Sequence, residues 1–238
     1  MSAIVRSRPS RLLRVSAVLF DVFGTLVHLE APGPALREEL LARTGTDVGE
    51  ERAAQAFVAE ISCYLEHHLE GSDEARLDDL RTRCARQIQD SLAEYELELG
   101  AVREAMLAAL RFRAFPDVEP ALAGLRDRGL TLVAASNWDV SLPQGLERAG
   151  LAGYFEGAVS SAVAGAAKPD PAVFRQALAI AGCRPAEAFH VGDSPSGDVE
   201  GARAAGIPVA LLDRAGTMPD PPEGVAKIAS LAELASLL

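Results

Sequence analysis

The chain has 238 residues, with 23 Lys and Arg against 34 Asp and Glu, a net charge of −11. Hydrophobic residues make up 49% and charged residues 24%, an ordinary globular composition that excludes disordered and fibrous classes. Arg6, Arg8, Arg11 and Arg14 stand in a start without acids, so the remainder sets 19 bases against 34 acids, repels phosphate backbones and excludes nucleic acid as a partner. That basic start reads as a solvated tail, because Pro9 and the lack of a long apolar run argue against a secretory signal.

The first buried strand is expected at Val15–Phe20, and Pro32, Gly33 and Pro34 read as a hinge after it. From Ala35 to Phe112 the pattern is helical throughout. Ala53–Leu69, Leu77–Leu92 and Val102–Leu110 space apolar residues by three and four. Gly71-Ser72-Asp73 separates the first two, with Ser72 or Asp73 as N-cap. Thereafter helices and short apolar strands alternate. The helices are Val118–Arg128, Leu142–Ala149, Pro171–Ala181 and Asp198–Ala205, and the strands are Leu130–Ala135, Gly157–Ser160, Ala188–Val191 and Ile207–Leu212. Pro219-Asp220-Pro221-Pro222 reads as a rigid loop. The expected class is α/β: a doubly wound, Rossmann-like parallel sheet formed by residues 1–30 and 113–238, with an all-helical subdomain inserted at 31–112. No apolar run reaches the roughly 20 residues of a membrane span. Cys63, Cys84 and Cys183 lie far apart and form no CxxC pair, so reduced thiols in a cytoplasmic setting are expected rather than a disulfide scaffold.

Ligands bind at the carboxyl ends of strands in such sheets, so the residues just after each strand are the candidates. They are Asp21-Val22-Phe23-Gly24-Thr25, Ser136-Asn137 and Gly192-Asp193, with Asp198 beyond, joined by Lys168-Pro169 in the loop before the Pro171 helix. Carboxylates suit a hard Mg²⁺ ion, Lys168 and Ser136 suit phosphate oxygens, and Asp21 suits a nucleophile. Taken singly, each has an ordinary structural reading. Asp193 and Asp198 fit helix caps, Lys168 a solvated lysine, and Ser136, Asn137 and Thr25 turn residues.

Together, in this order, the four motifs resemble the haloacid dehalogenase-like hydrolase superfamily, and the helical insertion resembles its first type of cap. The resemblance implies that Asp21 is the nucleophile of a covalent aspartyl intermediate. It places Mg²⁺ on Asp193, the Asp21 carboxylate and the Phe23 carbonyl, with Asp198 in support. Ser136 and Lys168 hold the transferred group, with Thr25 and Asn137 beside the substrate. The phosphatases of this superfamily carry a second Asp as general acid where this chain has Phe23, a group worth roughly 10²–10⁴-fold. An aromatic residue there matches the dehalogenases, whose halide leaves without a proton. Gly192-Asp193 matches the metal-dependent phosphatases, and this signature outweighs the aromatic one. The reading is therefore a Mg²⁺-dependent phosphomonoester hydrolase acting on a small molecule. A 2-haloacid dehalogenase is the alternative, and a weakly active binding protein a further one. A nucleotide-dependent oxidoreductase is opposed by the lack of GxGxxG. Within the insertion, Tyr64 and His67 share a helix face as candidate substrate contacts, beside a solvated-face reading; His28 is a candidate from the hinge, and His190 reads as core. Substrate identity and oligomeric state are open.

Overall fold

The computed structural model describes residues 15–238, so the arginine-bearing tail lies outside the described residues. Strand β1 (Ala17–Phe20) is wholly buried, as four successive apolar side chains facing both ways require. A short strand β2 (Val27–Leu29) follows, then four helices: α1 (Pro32–Thr44), α2 (Glu50–His67), α3 (Glu74–Ser91) and α4 (Leu99–Ala109). The chain returns along β3 (Phe112–Ala114), antiparallel to β2. Beyond it come α5 (Val118–Asp127), β4 (Thr131–Ser136), α6 (Leu142–Arg148), β5 (Gly157–Ser160), α7 (Ser161–Ala164) and α8 (Ala172–Ala181). The last elements are β6 (Ala188–Gly192), α9 (Gly201–Ala204), β7 (Val209–Leu212) and β8 (Ala226–Ile228).

Among the described residues the main sheet has six parallel strands in the order β5-β4-β1-β6-β7-β8. The order reverses at β1, the switch point where open α/β sheets form their crevice. Phe20 stands opposite Ala134 on one neighbour and Val191 on the other. Asp21, Ser136 and Gly192 therefore emerge together at the carboxyl edge. Alternation along β1 sends Val18 and Phe20 to one face, where Leu122 and Leu142 cover them. Leu19 goes to the other face, against Val173, Phe174 and Val199. Each such fully buried side chain stabilises by roughly 1.5–3 kcal/mol.

The helical insertion has a core of its own, including Leu36, Phe57, Leu80, Ile88 and Met106. Asp73 caps α3, its carboxylate accepting from Arg76 N at 2.9 Å. Three local expectations are corrected. Pro32, Gly33 and Pro34 are not a hinge but the first turn of α1, where missing N–H groups cost nothing. Gly33 serves contact there, since a Cβ would stand 2.9 Å from Ala54 Cα. The helix expected from Asp198 begins earlier, with a wide helical turn over Pro195–Glu200 capped by Ser194, whose Oγ accepts from Gly197 N at 3.0 Å. Strands β2, β3 and β8 escaped the sequence reading because three residues carry too little periodicity.

Candidate active site

The register of β1, β4 and β6 delivers a buried charge network at the carboxyl edge. Asp21 Oδ1 accepts from Ser136 Oγ at 2.9 Å and from Lys168 Nζ at 2.7 Å. The same ammonium donates to Asp198 Oδ1 at 2.5 Å. Asp198 Oδ2 accepts from Ser194 N at 3.0 Å, and the His190 ring joins Asp198 Oδ1 (2.8 Å) to the Leu19 carbonyl (3.0 Å). Asn137 positions Lys168 through its backbone: Oδ1 accepts from Lys168 N at 2.7 Å, and Nδ2 donates to Lys168 O at 3.1 Å. Burial opposes ionisation of Asp198, but the Lys168 ammonium and His190 hold its carboxyl well below the usual range. Burial also works against the Lys168 ammonium, yet Asp198 and Asp21 keep it above its ordinary value. Asp21 is pushed up by burial, relieved by Lys168 and opposed again by Asp198.

Asp193 completes the cluster with lesser compensation, from a backbone hydrogen bond and the Lys168 ammonium. Its ligand oxygen and those of Asp21 and Asp198 all lie within 4.8 Å of one another. Burial, then repulsion from Asp21 and Asp198, pushes its carboxyl up to about 7. Two glycines make this crowding possible. Gly24 has φ +83°, and a Cβ there would stand 2.0 Å from Asp193 Oδ2. A Cβ at Gly192 would stand 2.2 Å from Asp198 Cγ. Three carboxylates around one lysine leave excess negative charge among hard oxygen donors, so the residues present fit a divalent cation such as Mg²⁺.

A cavity of about 560 Å³ opens between this edge and the helical insertion. Phe23, Asn137 and Trp138 bound it on the core side, and Tyr64, Leu77 and Met106 on the helical side. Phe23 leaves half of its surface exposed and meets Phe112 edge-on, with ring centres 6.3 Å apart. Tyr64 Oη donates to Asp139 Oδ2 at 2.9 Å and accepts from Asp139 N at 3.3 Å. Burial, then Asp139, raises its phenol well above the ordinary value.

The remaining candidates are not gathered there. His67 pairs with Glu70 at 3.0 Å and does not line the cavity, because its position turns it towards the end of α2. His28 lies on β2 against Phe115, ring centres 4.9 Å apart. Thr25 is fully buried; its carbonyl accepts from Arg214 Nη2 at 2.8 Å, while its hydroxyl has no partner among the described residues. Two features went unread in the sequence. His190 is buried as expected but also supports Asp198, which strand alternation gives no means of seeing. Glu60 lies on the buried stripe of α2 with Ala53, Ala56 and Phe57, and a carboxyl on an apolar stripe was the available signal. Cys63 and Cys84, distant in sequence, are free thiols with Sγ atoms 3.5 Å apart.

Comparison with known proteins places this geometry among relatives. The family model for haloacid dehalogenase-like hydrolases matches residues 15–206. A phosphoserine phosphatase from Thermus thermophilus is 43% identical over 114 residues, covering 48% of this chain and 45% of that protein. The chain thus spans less than half the length of the first relatives it matches. A glyceraldehyde 3-phosphate phosphatase from Methanopyrus kandleri is 32% identical over 209 residues, 84% of each chain. The crystal structure of a 2-haloacid dehalogenase from Pseudomonas syringae pv. Tomato superposes with a TM-score of 0.67 at 26% identity, covering 94% of this chain and 97% of that one. Among the described residues no helix is long and apolar enough to cross a membrane.

Proposed function

The chain belongs to the haloacid dehalogenase-like hydrolases, and we propose that it is a Mg²⁺-dependent phosphomonoesterase acting on a small molecule. The observation that carries this reading is Asp193. A third carboxylate beside Asp21 and Asp198 is electrostatically costly, and a phosphoryl-transfer site gives it a purpose by needing a cation. The similarity to two named phosphatases supports the same class.

In this reading residues 1–30 and 113–238 form the catalytic core and residues 31–112 the cap. Asp21 is the nucleophile: its free carboxylate oxygen attacks phosphorus, the ester bond breaks, and water later hydrolyses the acyl phosphate. Lys168 and Ser136 hold Asp21 through one oxygen, which leaves the other directed to chemistry. The Asp21 and Asp193 carboxylates and the Phe23 carbonyl would hold Mg²⁺, which when bound neutralises phosphoryl charge. Asp198 belongs to that set by proximity, but both its oxygens already accept hydrogen bonds, so its part is to position Lys168. Asn137 likewise acts on Lys168, and Tyr64 acts as a cavity wall.

The exposed Phe23 favours a second reading, dehalogenation of a 2-haloacid through the same Asp21. One assay separates the two. An aryl phosphate and a 2-haloacid are each offered with Mg²⁺ and with a chelator. Phosphate release that disappears with the chelator is the expected result. Halide release indifferent to the chelator replaces the phosphatase reading with the second.

A further inference from the structure

Within the cap cavity one buried acidic group stands without a protein partner among the described residues. Glu60 is 4% exposed and lines the cavity, yet its carboxyl makes no hydrogen bond and no ion pair among the described residues. Its neighbours' donors are taken: the Tyr64 hydroxyl, one turn along α2, is committed to Asp139, and the Cys84 thiol donates to Cys63 Sγ at 3.5 Å. A carboxyl buried in apolar surroundings without a donor costs free energy, so a donor supplied from outside is strongly rewarded.

We propose that Glu60 is the cap's specificity residue and binds a primary ammonium group carried by the leaving portion of the substrate. The proposal rests on the phosphomonoesterase reading for its substrate and on the cavity alone for its ligand chemistry. Two further observations select a cation over a neutral hydroxyl. The first is placement: Glu60 is buried in the cavity wall, whereas Arg148 is exposed, Arg81 is partly so, and the acids Glu74 and Asp78 are also exposed, Asp78 being paired with Arg103. The lining also includes the aromatic rings of Tyr64, Phe112 and Trp138, a residue class that attracts ammonium groups. Apolar walls then hold the carbon body between Glu60 and the Phe23 edge. The ammonium meets a buried carboxylate left unpaired among the described residues, as a charge-assisted hydrogen bond.

The test uses two aryl phosphates of nearly equal shape, 4-(aminomethyl)phenyl phosphate and 4-ethylphenyl phosphate. Both leave as stabilised phenoxides, so the absent acid at Phe23 affects them alike. Wild type is expected to prefer the ammonium ester by about 10-fold or more in kcat/KM. Glu60→Gln should bring the ratio close to one, Glu60→Asp should recover part of it, and Glu60→Met should turn the preference towards the ethyl ester. Melting temperatures of the three variants show that each is folded. Independently of chemistry, calorimetry compares benzylammonium with benzyl alcohol on wild type and on Glu60→Gln. Equal binding of both ligands by wild type, or a substrate ratio untouched by Glu60→Gln, overturns the proposal. Should neither ester be turned over while benzylammonium still binds through Glu60, the phosphomonoesterase reading fails and the ammonium site stands. Should both esters be turned over equally, the reverse holds.

Discussion

The sheet edge and the cap cavity solve the problem of buried charge in opposite ways. At the edge, Asp21 and Asp198 share the Lys168 ammonium and are further held by Ser136, His190 and the Ser194 N–H. In the cap, Glu60 has none of these. A charge that the protein itself compensates is fixed in direction before any substrate arrives, which suits a nucleophile. A charge left uncompensated is available to whatever enters, which suits recognition. Asp193 lies between the extremes, repelled by its neighbours and suited to a cation that would complete it.

Replacing Asp21, the proposed nucleophile, breaks the comparison most severely. Asp21→Asn keeps the shape and the Ser136 hydrogen bond but removes the attacking charge. Turnover of an aryl phosphate should fall by roughly 10⁴–10⁶-fold, the range seen when a nucleophilic catalytic unit is disabled. The melting temperature should stay within a few degrees of wild type, since Lys168 keeps Asp198 as counterion. Measurable turnover above one-hundredth of wild type removes Asp21 from the mechanism.

Removing the shared cation comes next. Lys168→Met leaves Asp21, Asp193 and Asp198 facing one another without the ammonium that joins two of them. Stripping one partner from a buried ion pair costs about 3–5 kcal/mol, and denaturant unfolding without added metal should show a loss of that size. Added Mg²⁺ should recover part of it, because a ligand that binds only the folded state stabilises by linkage. No loss of stability would show that the network is dispensable to the fold.

The cap should respond to pH through Glu60, as the sheet edge does through Asp193. Burial pushes the Glu60 carboxyl from 4.5 up to about 7. Because the folded value is the higher one, the associated stability is complete below about pH 4.5 and is lost as pH rises through 7. Glu60→Gln cannot ionise and should escape this loss, so it gains on wild type by up to about 3 kcal/mol at pH 8. Equilibrium unfolding at pH 4.5 and pH 8 measures the difference of differences. Parallel curves for the two proteins would mean that Glu60 has a partner in solution.

The same contrast explains what was legible in the sequence. The core site follows from short motifs, because parallel strands carry their carboxyl ends to one edge whatever the loops do. Asp21, Ser136 and Asp193 could be placed together from apolar runs alone, and Lys168 joined them from the loop before the Pro171 helix. The cap offered only periodicity. It gave three of the four helices within a few residues, yet Pro32-Gly33-Pro34 misled, since the residues that break a helix interior also open one. Which cap side chain faces the cavity depends on how the helices pack, and periodicity fixes a face without naming its partner. Tyr64 reached the cavity while His67, three residues on, turned to Glu70. Glu60 was visible as a polar residue on an apolar stripe, but only the packed helices show that no donor meets it.

The smallest expected effect belongs to the seam where the two regions meet. Tyr64 on α2 holds Asp139 in the loop after β4 through both its carboxylate and its N–H. That loop also carries Asn137, which grips Lys168. Tyr64→Phe removes the hydroxyl and keeps the ring on the cavity wall. Asp139 retains the Ser141 N–H at 2.7 Å, so its carboxylate is not abandoned. The backbone tie from Val140 N to the Gly71 carbonyl at 2.8 Å still joins cap to core. A hydrogen bond to a charged acceptor contributes about 1.5–3 kcal/mol, and with these supports remaining the loss should fall near the lower limit. The cap would then close less firmly on substrate, raising KM several-fold, while kcat changes little because Lys168 keeps both its carboxylate partners. A fall in kcat at unchanged KM would instead show that the hydroxyl reaches the reacting atoms.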